Sequence, residues 1–529
     1  MSHLGRRAFN SSLVAVASGL ILPRSASSIG RTPAVMRAEG AIPQIPYGAS
    51  SGDVRGRNAV IWSKTDRPAR MWIEWDTTEK FENARKVRGP DALDVTDFTA
   101  KFELGDLPPG QTICYRVRFE DLKDAKAVSA WQAGKLQTPS AEPKDILFAW
   151  SGDTAGQGYG INPDIGGMPM FETIRKHQPQ FFLHSGDTIY ADNPLVPKML
   201  LDDGTIWRNV MTEAKSKVAE TLDDFRGAFA YNLLDKNVRN LNADIPLLVQ
   251  WDDHEVANNW YPGETLDDPR YKIERDASTL AKRARQAFFE YFPIRDSLEA
   301  PRRVDRLVNY GPLLDVFVLD KRSYRSKNSF NRQDKAGPDT ALLGPDHIAR
   351  LKVQLKASKA TWKVIASDMP IGMIVGDAPD EEGRNTFDAG ANGNGPALGR
   401  ELEIADLLSF MKREKIYNTI WLTADVHHAA AHYYDPTLAK FTDFDPFWEF
   451  VAGPMHAGTF GPAQMDNTFG PQVKFNSIPR GMPGNRPPSE GYQFYGLVKI
   501  DAASKVMTVA LHKLSGAKIY EVTLEPKPA

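Results

Sequence analysis

Five short hydrophobic runs that each end on a carboxylate constrain this chain more than any other feature. They are Ile146–Trp150 before Asp153, Phe181–Ser185 before Gly186-Asp187, Leu247–Trp251 before Asp252-Asp253-His254-Glu255, Lys363–Ser367 before Asp368, and Thr419–Thr423 before Ala424-Asp425-Val426-His427-His428. Runs of this length, rich in β-branched and aromatic residues, read as buried strands. In α/β sheets, ligands bind beyond the carboxyl ends of the strands. A single acid at a strand end commonly caps the next helix. Five of them, two with histidine attached, point instead to a binuclear metal site and to metal-dependent hydrolysis.

Composition sets few limits. At 529 residues the chain exceeds one typical domain, and two or three are expected. Hydrophobic residues make up 42% and charged residues 25%, ordinary globular values. A net charge of −2 provides no general field for nucleic acid or an anionic membrane. Cys114, the only cysteine, lies in an alternating strand pattern and reads as a packing residue, with no intrachain disulfide open to it.

The N-terminus suggests a destination. Gly5-Arg6-Arg7-Ala8-Phe9-Asn10 precedes a mildly apolar stretch from Ser11 to Leu22, a pattern similar to a twin-arginine export signal over residues 1–30. The competing reading is a plain basic tail. The stretch is too short to span a bilayer, and no other segment looks transmembrane. The export machinery is thus an expected partner, and the mature protein is expected in the periplasm or outside the cell. Residues 31–41 read as a linker.

Residues 42–140 read as a small all-β sandwich. Ala59–Ser63, Arg70–Trp75, Phe98–Leu104, Cys114–Phe119 and Trp131–Thr138 supply the strands, and Leu107-Pro108-Pro109-Gly110 a turn similar to those of fibronectin-type modules. Residues 145–529 alternate strands and helices, so the fold class is α/β. Helices are expected at Met168–His177, Leu222–Leu234, Ala277–Tyr291, His347–Ala357 and Arg400–Arg413. Three more strands between Tyr492 and Leu524 are expected at a sheet edge. The Gly-, Asn- and Asp-rich segment from Gly376 to Pro396 is long for a connection and is a candidate wall of the substrate mouth.

The acids divide into two metal positions. Asp153, Tyr190 and His427 would form the first, and Asp253, Asp368 and Asp425 the second, with Asp187 shared. A phenolate among carboxylates and one imidazole suits a trivalent ion such as iron(III). The oxygen-only second set suits calcium, magnesium or manganese. Two such ions can clamp a phosphoryl group around an attacking hydroxide. His254 is the candidate to donate to a phosphoryl oxygen or leaving group, or alternatively only to orient ligands. Substrate contacts are assigned to Asn258, Arg322 and His456. Arg322 and Arg325 are either phosphate clamps or salt-bridge residues, His428 and His432 support the ligands, and His184 belongs to the core. Gly156-Gln157-Gly158-Tyr159-Gly160 lacks dinucleotide-binding spacing and reads as a loop over the first metal.

The ordered set Asp153, Gly186-Asp187-Thr188-Ile189-Tyr190, Asp252-Asp253-His254-Glu255, Asp368 and Asp425-Val426-His427 resembles the calcineurin-like metallophosphoesterases, and most of all their alkaline phosphatase D branch. Tyr47–Asp53 and Leu319–Arg325 look like that branch as well. The resemblance runs from the signal to the end of the chain. It implies a layered catalytic domain, a β-sandwich with helices, behind the N-terminal fibronectin III-like sandwich. It further implies an iron(III) held partly by Tyr190, a calcium partner, and cleavage of phosphate monoesters and diesters, phospholipids with a phospholipase D-like outcome among them. Asp153 stands where that branch carries cysteine, which makes the first site similar to that of purple acid phosphatases. A sulfate or phosphonate ester hydrolase on the same metals, and an exported calcium-binding or adhesive protein without turnover, are the competing functions.

Overall fold

The computed structural model describes residues 42–528. The expected signal and linker lie outside the described residues. Two sheets organise the chain. One has nine strands in the order Lys518–Leu524, Met507–Lys513, Phe494–Ile500, Ile146–Ser151, Phe182–Ser185, Leu247–Gln250, Ala49–Arg55, Asn58–Lys64 and Thr99–Leu104. The other has seven, ordered Arg306–Asn309, Leu314–Val318, Trp362–Ala366, Thr419–Thr423, Phe447–Val451, Ala430–Tyr434 and Pro471–Asn476.

Strand alternation explains how the layers stack. Phe148, Trp150, Leu183 and Leu248 face Val316, Val364, Ala366, Ile420 and Leu422 in one core between the sheets. The intervening residues Ala149, Phe182, Leu247 and Val249 face outward onto helices Pro169–Lys176, Leu222–Asn232, Lys236–Asp244 and Ala277–Tyr291. On the far side, Phe317, Ile365 and Trp421 pack under helices Pro345–Ala357 and Glu401–Arg413. Side chains two apart share a face, so every central strand serves two cores. The result is a mixed α/β fold of four layers, helix–sheet–sheet–helix.

Five expected helices are present, Ala277–Tyr291 with its expected ends. Asp276 caps that helix by accepting from the backbone N–H groups of Ser278 and Thr279. Lys236–Asp244 was not anticipated, because its polar sequence KNVRNLNAD carries a weak apolar signal. The last three strands lie at the edge of the nine-stranded sheet, as expected. No helix of the described residues is long and apolar enough to cross a membrane.

The N-terminal segment is all-β, and its own core includes Ile61, Met71, Ile73, Tyr115, Val117 and Phe119. Two of its strands carry no usable sequence signal. Ala49–Arg55 is made of small and polar residues, and Arg85–Ala92 is a charged edge strand with a proline. The segment is not set apart from the catalytic layers: Ala49–Arg55 pairs in parallel with Leu247–Gln250 through Gly52 and Leu247. A Cβ on Gly52 would meet the Leu247 carbonyl at 2.6 Å and the Pro293 carbonyl at 2.7 Å, so only glycine fits there. Below it, Arg306 holds the buried Asp53 through both carboxylate oxygens at 2.8–3.1 Å.

Candidate metal centre

All five acid-bearing strands are parallel within their sheets, three in the first and two in the second. Their carboxyl ends converge across the interface: the Asp425 backbone N–H donates to Asp153 Oδ1 at 3.3 Å. Tight turns bring the side chains inward. Asp153, Asp187, Asp425 and His427 all have positive φ, between 50° and 67°. Such backbone costs roughly 1–3 kcal/mol per non-glycine residue, and it clusters where a site over-determines it. Gly186 permits one of these turns, since at φ +99° an added Cβ would lie 2.6 Å from that of Asp252. Glu255 clasps two strand ends rather than pointing inward. Its oxygens accept from the Thr188 N–H and hydroxyl, each at 2.6 Å, and from the Asp252 N–H at 2.7 Å.

The side chains form three overlapping clusters with ligand atoms within 4.8 Å of one another: Asp153, Asp187 and His427; Asp187, Asp253 and His254; and Asp252, Asp253 and Asp425. Asp187 and Asp253 each belong to two of them, and Asp187 is the one that links the His427 cluster to the rest. Tyr190 joins the first cluster through its hydroxyl, which donates to His427 Nε2 at 2.8 Å. His427 Nδ1 is committed to the Gly458 carbonyl, which fixes the ring and leaves Nε2 facing the cluster.

Electrostatics fit a cationic occupant. Burial, then neighbouring carboxylates and the phenol's surroundings, drive Asp153, Asp187, Asp252 and Tyr190 well above their ordinary pKa values. Burial and Asp253 push Asp425 up to about 7. Burial lowers His427 to about 4, keeping its imidazole neutral. Asp153 Oδ2, Asp252 Oδ2 and Asp253 Oδ1 are buried without a hydrogen-bond partner. Unpaired buried carboxylates are costly, and bound cations would satisfy these oxygens and reverse the upward shifts.

His254 is set apart from the ligands by Asp192, a residue the sequence reasoning missed. Asp192 Oδ1 holds His254 Nδ1 at 2.8 Å, and Asp192 Oδ2 accepts the Asn258 backbone N–H at 2.9 Å. Burial opposes a charge on His254, but Asp192, Asp253 and Asp187 outweigh it and hold its pKa well above the usual value. The Tyr190 ring lies against the imidazole, with centroids 4.3 Å apart. Asp192 stands two positions after Tyr190, and that spacing was the available signal. Lys215 steadies the same loop, its buried ammonium donating to the Tyr190 carbonyl at 2.6 Å.

Other expectations are relocated. Arg322 does not lie open as a phosphate clamp. It is 1% exposed, and its guanidinium is taken up by Asp252 at 2.7 Å and Asp388 at 2.9 Å. Asp368 is paired with Lys321 at 2.6 Å and lies outside the three clusters, where Asp252 stands instead. Although burial opposes it, Lys321 and Arg322 hold Asp368 below the usual carboxylate range. His456 is buried behind Asp153, its Nε2 donating to the Gly160 carbonyl at 2.9 Å. His184 is a core residue bonded to Thr154 at 2.9 Å. The Asn258 side chain is exposed beside the His254–Asp192 pair, and Asp425 is half-buried, so the centre opens to solvent on this side. The Gly376–Pro396 segment reaches this rim: Asn259 donates to Asp377 Oδ1 at 3.2 Å, and its backbone N–H donates to Asp253 Oδ2 at 2.6 Å.

Comparison with known proteins follows the same division of the chain. Residues 148–511 match the family described as PhoD-like phosphatase, and residues 30–140 match the PhoD-like phosphatase N-terminal domain. Alkaline phosphatase D of Bacillus subtilis (strain 168) is 26% identical over 404 residues, covering 72% of this chain. The match spans 64% of that relative's own length. Among solved structures, one titled "Structure of PhoD" superposes with a TM-score of 0.65 at 19% identity, covering 92% of both chains. A purple acid phosphatase from yellow lupin (Lupinus luteus) seeds superposes with a TM-score of 0.54 at 11% identity, covering 92% of this chain and 74% of that one. Both superpositions speak to the fold.

Proposed function

From the premise that the chain belongs to the PhoD-like phosphatase family, we propose that it is an exported phosphoesterase with two metal positions. The observation that carries this reading is Asp187, shared between two ligand clusters and flanked by a histidine that a second carboxylate orients. Asp153, Asp187, Tyr190 and His427 would hold the first cation. Asp187 and Asp253 would hold the second, with Asp425 and either Asp252 or Asp368. A phenolate favours iron(III) at the first position, and an all-oxygen set favours calcium at the second.

When bound, the cations supply positive charge to the phosphoryl oxygens and acidify the attacking water. The chain's own groups do the rest. His254 has Nδ1 committed to Asp192, so Nε2 is the nitrogen left for substrate. With Asp192 beside it to stabilise the charged ring, it donates to a phosphoryl oxygen as negative charge develops there, and then to the departing alkoxide. Asp192 fixes the ring's orientation and stabilises its charge. Arg322 anchors Asp252 from beneath, so the carboxylates keep their geometry without touching substrate. Asn258 borders the entrance.

Diesters and monoesters of phosphate are the substrates, and twin-arginine export to the periplasm or beyond is the destination. One sample of natively exported protein tests the reading, with elemental analysis, a visible spectrum, and turnover of nitrophenyl phosphate diester, monoester and sulfate measured together. Iron with calcium, a tyrosinate-to-iron absorption band and phosphate-ester turnover would support all of it. Sulfate turnover exceeding phosphate turnover would transfer the site to a sulfatase. Metal-loaded protein with no turnover would refute the enzyme.

A further inference from the structure

A second group of carboxyls lies buried elsewhere, with no ion pair to either among the described residues. Glu401 opens the helix Glu401–Arg413 and is 1% exposed, and Asp466 is 2% exposed. The two carboxyl groups lie within hydrogen-bonding reach of each other. Burial and the adjacent Asp466 push Glu401 up to about 9, and burial raises Asp466 as well. The nearby Arg332 guanidinium is spent on the Asn392 carbonyl at 2.8 Å rather than on either carboxyl. Two contacting carboxylates in a dry interior are unstable unless a proton or a cation lies between them.

Asn392 distinguishes these cases. It is 1% exposed and hydrogen-bonds to both acids. Its backbone N–H donates to Asp466 Oδ2 at 3.2 Å, and its Nδ2 donates to Glu401 Oε2 at 3.1 Å and to the Leu398 carbonyl at 3.0 Å. Both amide hydrogens are therefore used, while Asn392 Oδ1 and Glu401 Oε1 are left buried with no well-formed protein hydrogen bond, the Thr468 hydroxyl beside Glu401 being turned to the Gly395 carbonyl. A shared proton would satisfy Glu401 and Asp466 and leave the amide oxygen bare. A cation satisfies all three.

We propose that Glu401, Asp466 and Asn392 form a separate structural site for a calcium ion. The donors are oxygen only, with no imidazole or thiolate, which argues against zinc. They come from three chain segments in no regular array, which suits calcium's flexible shell of 6–8 oxygens better than magnesium's strict octahedron. Water completes the shell.

The site joins segments that reach the catalytic rim. Around it, Gly395 donates to Asn467 Oδ1 at 3.0 Å, Asn467 donates to Asn394 Oδ1 at 3.0 Å, and the Thr468 hydroxyl donates to the Gly395 carbonyl at 3.2 Å. The segment it pins also carries Asp377 and Asp388, which hold Asn259 and Arg322 at the metal centre. Calcium here stiffens the Gly376–Pro396 wall and takes no part in the reaction.

The test uses full-length, metal-loaded protein and compares wild type with Glu401→Gln, Asp466→Asn and, as a control, Asp253→Asn. Calcium and iron per chain are measured after dialysis, and the thermal midpoint is followed in calcium, magnesium or chelator. The expected result is one calcium equivalent lost in Glu401→Gln and Asp466→Asn with iron unchanged, and a calcium-dependent midpoint that survives in Asp253→Asn. Unchanged calcium content and an unchanged midpoint response in both variants would overturn the proposal. Asn392→Asp serves if those variants fail to fold. A calcium site gains a ligand and binds calcium more tightly, whereas a shared proton gains only repulsion and the protein loses stability at every calcium concentration.

Discussion

The Tyr190 hydroxyl lies 2.8 Å from His427 Nε2, although 237 positions separate the two residues in the chain. One follows a strand of the nine-stranded sheet and the other a strand of the seven-stranded sheet. Their contact therefore reports the closure of the sandwich and brings together two side chains proposed for the first ligand set.

Tyr190→Phe removes the hydroxyl and its bond to His427 and leaves the ring in place against His254. The expected outcome is loss of the tyrosinate-to-iron absorption band, with the protein still folded and still binding metal. A spectrum in which the band persists would take Tyr190 out of the ligand set.

Removing His254 with alanine should lower kcat by about 10²–10⁴-fold, the usual contribution of a positioned proton donor. Asp192→Asn should cost less, about 10–100-fold, and should also shift the alkaline limb of the pH–rate profile downward, because the imidazolium loses its nearest anion. The shift in pH profile separates a positioning role for Asp192 from a merely structural one.

Arg322→Lys keeps a positive charge but cannot bridge Asp252 and Asp388 in the same plane. Metal affinity is expected to fall about 10–100-fold, as when ligand-supporting groups are removed, with KM for the ester nearly unchanged once metal is in excess. A large rise in KM with full metal occupancy would restore Arg322 as a direct phosphate contact.

Gly52→Ala forces a Cβ onto the Leu247 and Pro293 carbonyls. Roughly 1–3 kcal/mol of stability should be lost through overpacking at the junction of the β module and the catalytic sheet. Chemical denaturation measures this directly, and a neutral result would mean the parallel pairing there is dispensable.

Burial lowers the pKa of His184 to about 3 from 6.5. Between those values the unfolded chain binds a proton that the folded chain does not. Stability from this group is thus complete above the unfolded value and is lost as pH falls from 6.5 toward 3. At about 1.4 kcal/mol per pKa unit the effect is large. On metal-stripped protein, His184→Gln should flatten the slope of unfolding free energy against pH in that window, whatever it does to the absolute value.

Much of this was legible in the sequence because it depends on local pattern. The alternation that makes Phe148 and Trp150 face one core and Ala149 the other is written in the run itself, and so are the acids that follow each run. Helix Ala277–Tyr291 carries both its apolar spacing and its aspartate cap. Strand Arg85–Ala92 was invisible because an edge strand with charges and a proline has no buried face to impose a period.

What the sequence by itself determined is the chemistry available: an ordered series of carboxylates, one tyrosine and two histidines at strand ends. Tertiary structure alone decided which of them meet. Asp252 joined the cluster while Asp368 was drawn to Lys321, Arg322 turned inward to Asp252 and Asp388, and Asp192 took hold of His254. The reason is physical. Strand period fixes the face a side chain points to, but the partner of a buried charge is chosen by which opposite charge the packing of two distant sheets leaves within about 3 Å, and no local pattern encodes that distance.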